Sequence, residues 1–403
     1  MPVKLGIENF MERPREYIGK RRVGLLINQT SYSPSMVGLL DYCLRSEQVA
    51  CGAVFAPEHG LYGARQDMEQ VDETKLPDGT PVYSLYGTKP GSLTPDGEML
   101  ADLDAVIFDI QDVGSRYYTF IWSMALCMKA CAEHGKAMVV LDRPNPLGGS
   151  VVSGTVQTQN FLSFVGMHPV PVRHGMTAGE MARLLKGHFH YDCELIVVPM
   201  DNWHRDMWFD QTQLPWIPPS PNMPHSSTAA VYPGGCLLEG TNISEGRGTT
   251  TPFELVGAPW IVAEDLATAL NDLKLPGVAF RPSYFVPKFQ KYADQQCGGV
   301  FVHLRDRDVA DTFEAYCHLI GTVKAMYPDQ FAWRDQPYEF VKDIPAIDLL
   351  FGSDGLRKGV DAGKPVGEIL EPTRRDAVLF DGMRQEYLLY RLSEGGRPAA
   401  HMW

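Results

Sequence analysis

A carboxylate, an imidazole and a guanidinium stand close together in the segment FAPEHGLYGARQ, residues 55–66. Glu58, His59 and Arg65 follow an apolar run that is typical of a buried strand, and the glycines around them permit tight turns. Side chains of these types can transfer a proton to or from a bound substrate. The alternative is a solvated turn with no chemical role. The rest of the sequence decides between these two interpretations.

Similar polar segments follow several other apolar runs of the chain. They are NQTS, QDVGSRYYT, RPNPLGG, PVRHG, PPSPN and EGTNISEGRGTTTPFE, all rich in amide, carboxylate or guanidinium groups. Besides Glu58, His59 and Arg65, the candidate site residues are Asn28, Gln29, Gln111, Asp112, Arg116, Tyr118, Arg143, Asn145, His174, Asn222, Asn242, Glu245 and Arg247. Their chemistry predicts a pocket for a polyhydroxylated small molecule that carries an anionic group.

The first half of the chain alternates apolar runs with amphipathic segments, which predicts an α/β fold. Continuous apolar strands of this kind form parallel sheets that helices cover on both faces. The predicted strands are 22–28, 49–55, 105–110, 137–142 and 194–200, and the predicted helices are 34–48, 117–134 and 177–189. Thr177 and Glu180 form a capping-box pattern at the start of the last of these helices. Because ligands of parallel sheets bind beyond the carboxyl ends of the strands, the polar segments are expected to meet there.

The pattern changes near residue 260, where a second and smaller unit is predicted. Its elements are helices at 263–273 and 309–326, strands near 278–286 and 299–304, and further helices toward the C-terminus. This order is typical of an α+β domain. We therefore expect an N-terminal domain over residues 1–258, which carries most of the site, and a C-terminal domain over 259–403 that closes the cleft.

Composition excludes several classes of partner. The chain has 403 residues, a formal net charge of −13 and no dense run of Lys and Arg, so neither nucleic acid nor an anionic membrane surface is an expected partner. No apolar stretch is long enough to span a bilayer. The first residues lack the apolar core of a signal peptide, so we expect a cytoplasmic location, with export as the alternative if a leader has been removed.

The eight cysteines form no C-x-x-C pair, and Cys127 and Cys131 are interpreted as buried thiols, with a metal pair as the alternative.

Other well-known catalytic motifs are missing from the sequence. There is no G-x-x-x-x-G-K-[ST] and no G-x-G-x-x-G after the first strand, so no nucleotide cofactor is predicted. Neither H-E-x-x-H nor a Cys/His quartet occurs, so no metal is predicted, and no G-x-S-x-G elbow marks a serine hydrolase. Carboxylates are abundant in the polar segments, namely Glu58, Asp112, Glu239 and Glu245. Cleavage of a glycoside needs a carboxylic acid and usually a second carboxylate.

Seven segments resemble, in order, the signature segments of the DUF1343 family, which includes exo-β-N-acetylmuramidases of the NamZ type (glycoside hydrolase family 171). They are GLLINQTS, FAPEHGLYG, FDIQDVGSRYYTFI, LDRPNPLGG, PVRHGMTAGE, PPSPNM and EGTNISEGRGTTTPFE, and they extend over most of the chain. The resemblance implies a Rossmann-like N-terminal domain and a smaller C-terminal domain, with the active site in the cleft between them. It also implies release of N-acetylmuramic acid from the non-reducing end of peptidoglycan fragments, without a metal or nucleotide.

The catalytic glutamate proposed for that family lies in its P-E-H-G motif, which corresponds to Glu58. We therefore predict Glu58 as the general acid and Asp112 as the first candidate for a second carboxylate. Two alternatives stay open, because Asp112 can instead cap the helix that begins near Tyr117, and the substrate's own acetamido group can replace a protein nucleophile. Tyr118 is expected either to stack on a sugar or to pack in the core.

The lactyl carboxylate distinguishes muramic acid from glucosamine, and a guanidinium is the natural group to bind it. Arg247, placed between two glycines, is the first choice, followed by Arg143 and Arg65. Two other functions remain as alternatives to this reading of the sequence. One is a saccharide-binding protein without catalysis, and the other is a different hydrolase, such as an amidase or a phosphatase, on the same scaffold.

Overall fold

The structure, a computed structural model, describes residues 1–66, 69, 74–87 and 89–395. Its strands are β1 (Arg22–Ile27), β2 (Ala50–Ala56), β3 (Thr74–Lys75), β4 (Pro81–Ser84), β5 (Ala105–Asp109), β6 (Ala137–Leu141), β7 (Ser153–Val156), β8 (Pro171–Arg173), β9 (Glu194–Val198), β10 (Leu255–Ala258), β11 (Val278–Phe285) and β12 (Cys297–Leu304). Its helices are α1 (Gly6–Glu12), α2 (Pro14–Ile18), α3 (Leu39–Arg45), α4 (Gly97–Leu100), α5 (Phe120–Glu133), α6 (Ala178–Gly187), α7 (Ser226–Gly235), α8 (Ala263–Asp272), α9 (Thr312–Met326), α10 (Ala346–Phe351), α11 (Gly355–Asp361) and α12 (Val366–Arg384). None of these described helices has both the length and the apolar character needed to cross a bilayer.

The largest sheet has the strand order β3-β4-β2-β1-β5-β6-β9. The β3–β4 pair is antiparallel, and the other pairs of this sheet are parallel. Alternate side chains of each strand point to opposite faces, where α1 and α3 cover one side and α5 and α6 cover the other. The strand order reverses between β1 and β5, so a crevice forms at the carboxyl ends of these two strands.

The C-terminal half builds on a smaller antiparallel sheet of order β10-β12-β11. Helices α7 to α12 pack around this sheet and around the short antiparallel pair β7–β8. The apolar core runs without a break from the large sheet into this half, as Phe108, Phe120, Phe253, Tyr316 and Leu350 all belong to one buried cluster. This shared core fixes loops from distant parts of the sequence against one another.

The predicted fold class is confirmed: a parallel sheet with helices on both faces is joined to a smaller α+β part. The capping box of α6 is also confirmed, with the Thr177 side chain accepting a hydrogen bond from the amide of Glu180. The helix predicted at 34–48 was wrong over its first part and begins only at Leu39. Met36 adopts a left-handed backbone conformation, with φ of 62°, and Gly38 is extended, so the chain turns before it can enter a helix. The strands β3, β4, β7, β8 and β10 and the helices α1, α2, α4 and α7 were not predicted.

Candidate active site

A cavity lies at the carboxyl ends of β2 and β5, between the loops of the large sheet and segments of the C-terminal half. Its carboxylate and guanidinium groups include Glu58, Glu239, Arg247 and Glu339. Hydroxyl and amide groups in the wall come from Thr119, Ser220, Asn222 and several tyrosines. Three carboxylates and one guanidinium therefore share a single pocket, although the sequence separates the first from the last by 281 positions.

Glu58 lies two residues beyond the end of β2 and is held at the cavity wall. The hydroxyl of Thr119 donates a hydrogen bond of 2.8 Å to Glu58 Oε2, and only 6% of the residue is exposed. His59 has a φ of 69°, and its Nδ1 lies 2.9 Å from the carbonyl oxygen of Arg65. This tight turn brings Glu58 back toward the sheet. Arg65 contributes its carbonyl to the turn. Arg65 itself is exposed to solvent, and its side chain does not line the cavity.

Tyrosine side chains form an aromatic part of the cavity wall. The ring of Tyr118 packs at nearly a right angle to those of Tyr232 and Phe120, with 5.7 and 5.0 Å between ring centres. The hydroxyl of Tyr117 donates a hydrogen bond to the carbonyl of Pro233. The Tyr118 hydroxyl is buried beside the side chain of Ser220 in the cavity wall. Burial raises the pKa of Tyr118 well above its ordinary value, so this hydroxyl remains a donor that a polar ligand can use.

Arg247 enters the cavity from the loop that connects the short 3-10 helix Cys236–Gly240 to strand β10. Gly246 and Gly248 flank it with φ of 78° and 82°, and a side chain at Gly246 would collide with the carbonyl of Leu255. The guanidinium donates to Glu239 Oε1 at 2.6 Å and lies 3.4 Å from Glu245 Oε1. It also lies over the ring of Phe253, 5.2 Å from the ring centre. The glycines thus permit a backbone path that presents one paired arginine to the pocket.

Two carboxylates of the cavity belong to a network that extends through aromatic hydroxyls. Glu239 Oε2 accepts a hydrogen bond of 2.7 Å from Tyr338, and Glu339 Oε2 accepts one of 3.2 Å from Tyr86. Sequence reasoning noted Glu239 as one of several carboxylates but missed Glu339 and Tyr86. These two stand 253 positions apart and belong to no recognisable motif. The only local signal was a glutamate between aromatic residues in the segment PYEF.

Asp112 and His174 form a buried pair that is not part of the cavity lining. Asp112 Oδ2 accepts a hydrogen bond of 2.6 Å from the amide of Gly114 and lies 3.8 Å from His174 Nε2. Burial raises the pKa of Asp112 to about 7 and lowers the pKa of His174 to about 3. Neither residue lines the cavity that contains Glu58. The structure therefore does not bring the two predicted catalytic carboxylates to one wall, and it places Asp112 in the turn that precedes α5.

The predicted arginines other than Arg247 and Arg65 are engaged in the fold. Arg116 is fully buried, and its guanidinium donates to the carbonyls of Thr155, Val170 and Leu350. Arg143 forms a buried two-point ion pair with Asp109, with N···O distances of 2.6 and 2.9 Å. The structure does not bring Arg116 to the cavity, and it places Arg143 beside a second, smaller pocket that Gln111 also lines.

Most of the predicted amides hold loops together. The Gln29 side chain donates to the carbonyls of Pro218 and Pro219, and the Gln111 side chain donates to those of Asp112 and Pro144. The remaining amides that bond mainly to backbone groups are Asn28, Asn145 and Asn242. Asn222 differs from these because it lines the cavity, where its Nδ2 donates to Gln66 Oε1 at 3.0 Å.

Glu245 completes the set of predicted residues and lies just outside the cavity lining. Its Oε2 is 2.8 Å from Lys291 Nζ, and its Oε1 faces Arg247. Lys291 also donates to the carbonyls of Leu238 and Ile243, so this ion pair ties the Arg247 loop to the C-terminal half. Within the described parts of the chain, no three His, Cys, Asp or Glu side chains are grouped as a metal site would require.

Comparisons with known proteins place the chain in a family. The N-terminal profile of the exo-β-N-acetylmuramidase NamZ matches residues 23–227, and the C-terminal profile matches residues 230–390. The chain is 40% identical over 392 residues to the peptidoglycan β-N-acetylmuramidase NamZ of Bacillus subtilis strain 168, covering 96% of this chain and 91% of that protein. The two profiles meet near residue 228, whereas the predicted domain boundary after residue 258 stays a prediction.

Solved structures agree with this placement. A DUF1343 protein of Bacteroides fragilis NCTC 9343 superposes with a TM-score of 0.89 at 34% identity, covering 97% of this chain and 99% of that one. A second DUF1343 protein from the same strain gives a TM-score of 0.73 at 30% identity, with 98% and 100% covered. The resemblance seen in the sequence is thereby confirmed. The chain belongs to the NamZ exo-β-N-acetylmuramidase family, within DUF1343.

Proposed function

We propose that the chain is an exo-acting glycoside hydrolase that releases N-acetylmuramic acid from the non-reducing end of peptidoglycan fragments. The main structural support is the position of Glu58, a buried carboxyl that Thr119 holds in a cavity with Arg247 and a wall of tyrosines. The B. subtilis relative, at 40% identity, is a peptidoglycan β-N-acetylmuramidase. A carboxyl group, a guanidinium and aromatic rings are the groups that an acidic amino sugar requires.

Glu58 acts as the general acid in this proposal. It gives its proton to the leaving glycosidic oxygen while the bond from that oxygen to C1 breaks, and the bonding electron pair stays on the oxygen. The hydroxyl of Thr119 fixes one carboxyl oxygen, so the group does not have to search for its geometry during the reaction. The tyrosines and Phe120 give the pocket an aromatic wall of low polarity, which strengthens the electrostatic contacts beside it.

In this proposal, Arg247 binds the lactyl carboxylate of the substrate. It is the arginine that lines the cavity within the described residues, whereas Arg143 lies at another pocket and Arg65 is exposed. Its ion pair with Glu239 orients the planar guanidinium, and its position over Phe253 restricts the plane further. A fixed, planar fork suits a bidentate contact with a carboxylate.

The test is turnover of matched substrates by the whole chain. A chromogenic β-glycoside of N-acetylmuramic acid should release its chromophore, whereas the N-acetylglucosamine analogue should react far more slowly. Tight binding of the muramyl glycoside without release would instead support a saccharide-binding protein. Equal release from both glycosides would contradict the proposed recognition of the lactyl carboxylate by Arg247. The predicted cytoplasmic location stays a prediction, which fractionation of cells that express the complete gene would test.

A further inference from the structure

The hydroxyl of Tyr86 lies close to two of the carboxyl groups of the cavity. It donates a hydrogen bond of 3.2 Å to Glu339 Oε2, and the Glu58 carboxyl is near enough to raise the pKa of the hydroxyl. Tyr86 follows β4 in the large sheet, whereas Glu339 comes from the loop between α9 and α10. All three residues are less than a tenth exposed. A single hydroxyl therefore connects a carboxyl of the N-terminal half with one of the C-terminal half.

The hydroxyl of Tyr86 has a single proton that it can donate. A phenolic hydroxyl has one proton to donate and otherwise only accepts, so it cannot donate to two carboxylates at once. Burial raises the pKa of Tyr86 above its ordinary value, with Glu58 and Glu339 adding to the effect, so the hydroxyl keeps its proton. The single proton of the hydroxyl therefore serves the Glu339 carboxylate, which the hydroxyl contacts at 3.2 Å.

The shared cavity and the backbone also distinguish this pair. Glu58 and Glu339 both line the one cavity, and the hydroxyl of Tyr86 is close to both carboxyls. Two carboxyl groups in one site are the arrangement that most glycosidases use. Left-handed backbone occurs at both ends of the pair, with φ of 69° at His59, 44° at Glu339 and 68° at Phe340. Strain of this kind in residues other than glycine concentrates at functional sites.

We propose that Glu339 is the second catalytic carboxylate and that Tyr86 positions it. The proposal rests on the glycosidase function above, with Glu58 as the acid. A Glu339 oxygen attacks C1 as the leaving oxygen takes the proton of Glu58, which gives a glycosyl ester. A water molecule then gives a proton to Glu58 while its oxygen attacks C1, and the electron pair of the C1–Glu339 bond returns to Glu339. Hydrolysis is completed with both carboxyls in their starting states.

Glu239 is the other glutamate that the C-terminal half contributes to the same cavity. One of its oxygens accepts from Arg247 at 2.6 Å and the other from Tyr338 at 2.7 Å. These contacts assign Glu239 to orienting Arg247, whereas Glu339 is the glutamate that contacts the Tyr86 hydroxyl beside Glu58. The two glutamates therefore provide a pair of variants in one pocket with different expected results.

Azide rescue of an activated aryl muramide separates the possible roles. Glu339→Ala should lose on the order of 10³-fold or more in turnover. Sodium azide should restore release of the aryl group and yield the α-glycosyl azide, because azide attacks from the face that Glu339 occupied. Glu239→Ala should give no azide product. A β-glycosyl azide from Glu339→Ala, or no rescue by azide, would overturn the proposal and favour participation of the acetamido group.

The Tyr86→Phe variant gives a second readout that does not depend on removing a carboxyl. Loss of the hydroxyl removes a donor to the Glu339 carboxylate, so the acid limb of the kcat/KM profile should move to higher pH. An acid limb that stays at the same pH in Tyr86→Phe would contradict the positioning role of Tyr86. This measurement tests the proposal even if Glu339→Ala does not fold. Failure of the unmodified chain to cleave any muramyl glycoside would refute the glycosidase function itself. Cleavage that Glu339→Ala leaves intact would refute only the role of Glu339.

Discussion

Two buried polar regions stand at the carboxyl ends of the large sheet, and they use the same kinds of side chain differently. The Glu58 region lines a cavity, and its carboxyls bond to hydroxyls and to a guanidinium from distant segments. In the Asp112 region, Asp112 caps a turn and the neighbouring Arg116 donates to three carbonyls. The first set of groups remains accessible from a pocket, whereas the second is consumed in shaping the loops that surround it.

This difference shows why a polar residue after a strand is not by itself a site residue. Loops that cross the end of a buried sheet carry backbone carbonyls and amides that need partners, since an unpaired buried polar group costs about 1–3 kcal/mol. Asn145, Gln111 and Arg116 supply those partners. Only after the backbone has been satisfied can other side chains, such as Glu58, face a substrate. Four changes test the contrast between the two regions.

The largest effect is expected from Glu58→Gln, which keeps the size of the side chain but removes its proton. Turnover of a natural saccharide should fall by about 10²–10⁴, the usual range for general acid catalysis. An aryl glycoside with a good leaving group needs less help and should lose much less. The melting temperature should change little. Equal losses on both substrates would contradict the acid role, and a large drop in melting temperature would indicate that Glu58 is structural.

The next largest effect is expected on stability, from Arg116→Met in the second region. This change leaves the carbonyls of Thr155, Val170 and Leu350 without their donor in the core. The free energy of unfolding should fall by about 3–5 kcal/mol, as for other buried polar networks. Arg13→Met, at an arginine whose side chain is 53% exposed, should change it by less than about 0.5 kcal/mol. Urea unfolding measures both, and the kcat of the folded fraction should stay near that of the parent.

A smaller effect is expected from Arg247→Lys, which keeps the charge but loses the planar fork. Binding of a muramyl ligand should weaken by about 1–3 kcal/mol, the range of a charge-assisted hydrogen bond, while binding of the glucosaminyl analogue should change little. Titration calorimetry with N-acetylmuramic acid and N-acetylglucosamine measures this preference. An unchanged preference in Arg247→Ala would assign the lactyl group to another residue.

An effect of similar size is expected from Asp112→Asn and depends on pH. The folded-state pKa of Asp112 is about 7 against an ordinary value of 3.8, so its ionisation destabilises the fold increasingly as pH rises from about 4 to 7. His174 has the opposite sign, because its pKa of about 3 means that acid below its ordinary value of 6.5 favours unfolding. Removing only the Asp112 contribution should favour the variant over the parent by on the order of 1–3 kcal/mol at pH 8 relative to pH 4.

Urea unfolding at the two pH values provides that measurement, with kcat/KM on a muramyl glycoside as the activity control. Asp112→Asn should retain activity within about tenfold, since the residue does not line the cavity. A loss as large as that expected for Glu58→Gln would contradict the structural role and restore Asp112 as the second carboxylate.

Local sequence determined the elements and the edge at which the site forms. Periodicity gave the strands that became β1, β2, β5, β6 and β9 to within a few residues, because each is an uninterrupted apolar run between turns. The rule that ligands bind at the carboxyl ends of parallel strands then placed Glu58 and Tyr118 at the cavity. Motif spacing also singled out Arg247, since two glycines around one arginine permit a special backbone path.

Tertiary structure alone decided which of the polar residues face the cavity and which serve the fold. Arg116 and Arg247 both belong to polar segments that follow apolar runs, yet one is enclosed by carbonyls of three distant segments and the other lines the pocket. The bridge from Tyr86 to Glu339 spans 253 positions and has no local signature. The physical reason is that periodicity reports only on neighbours within a few turns, whereas hydrogen bonds of buried side chains depend on which distant backbone groups the fold leaves unpaired.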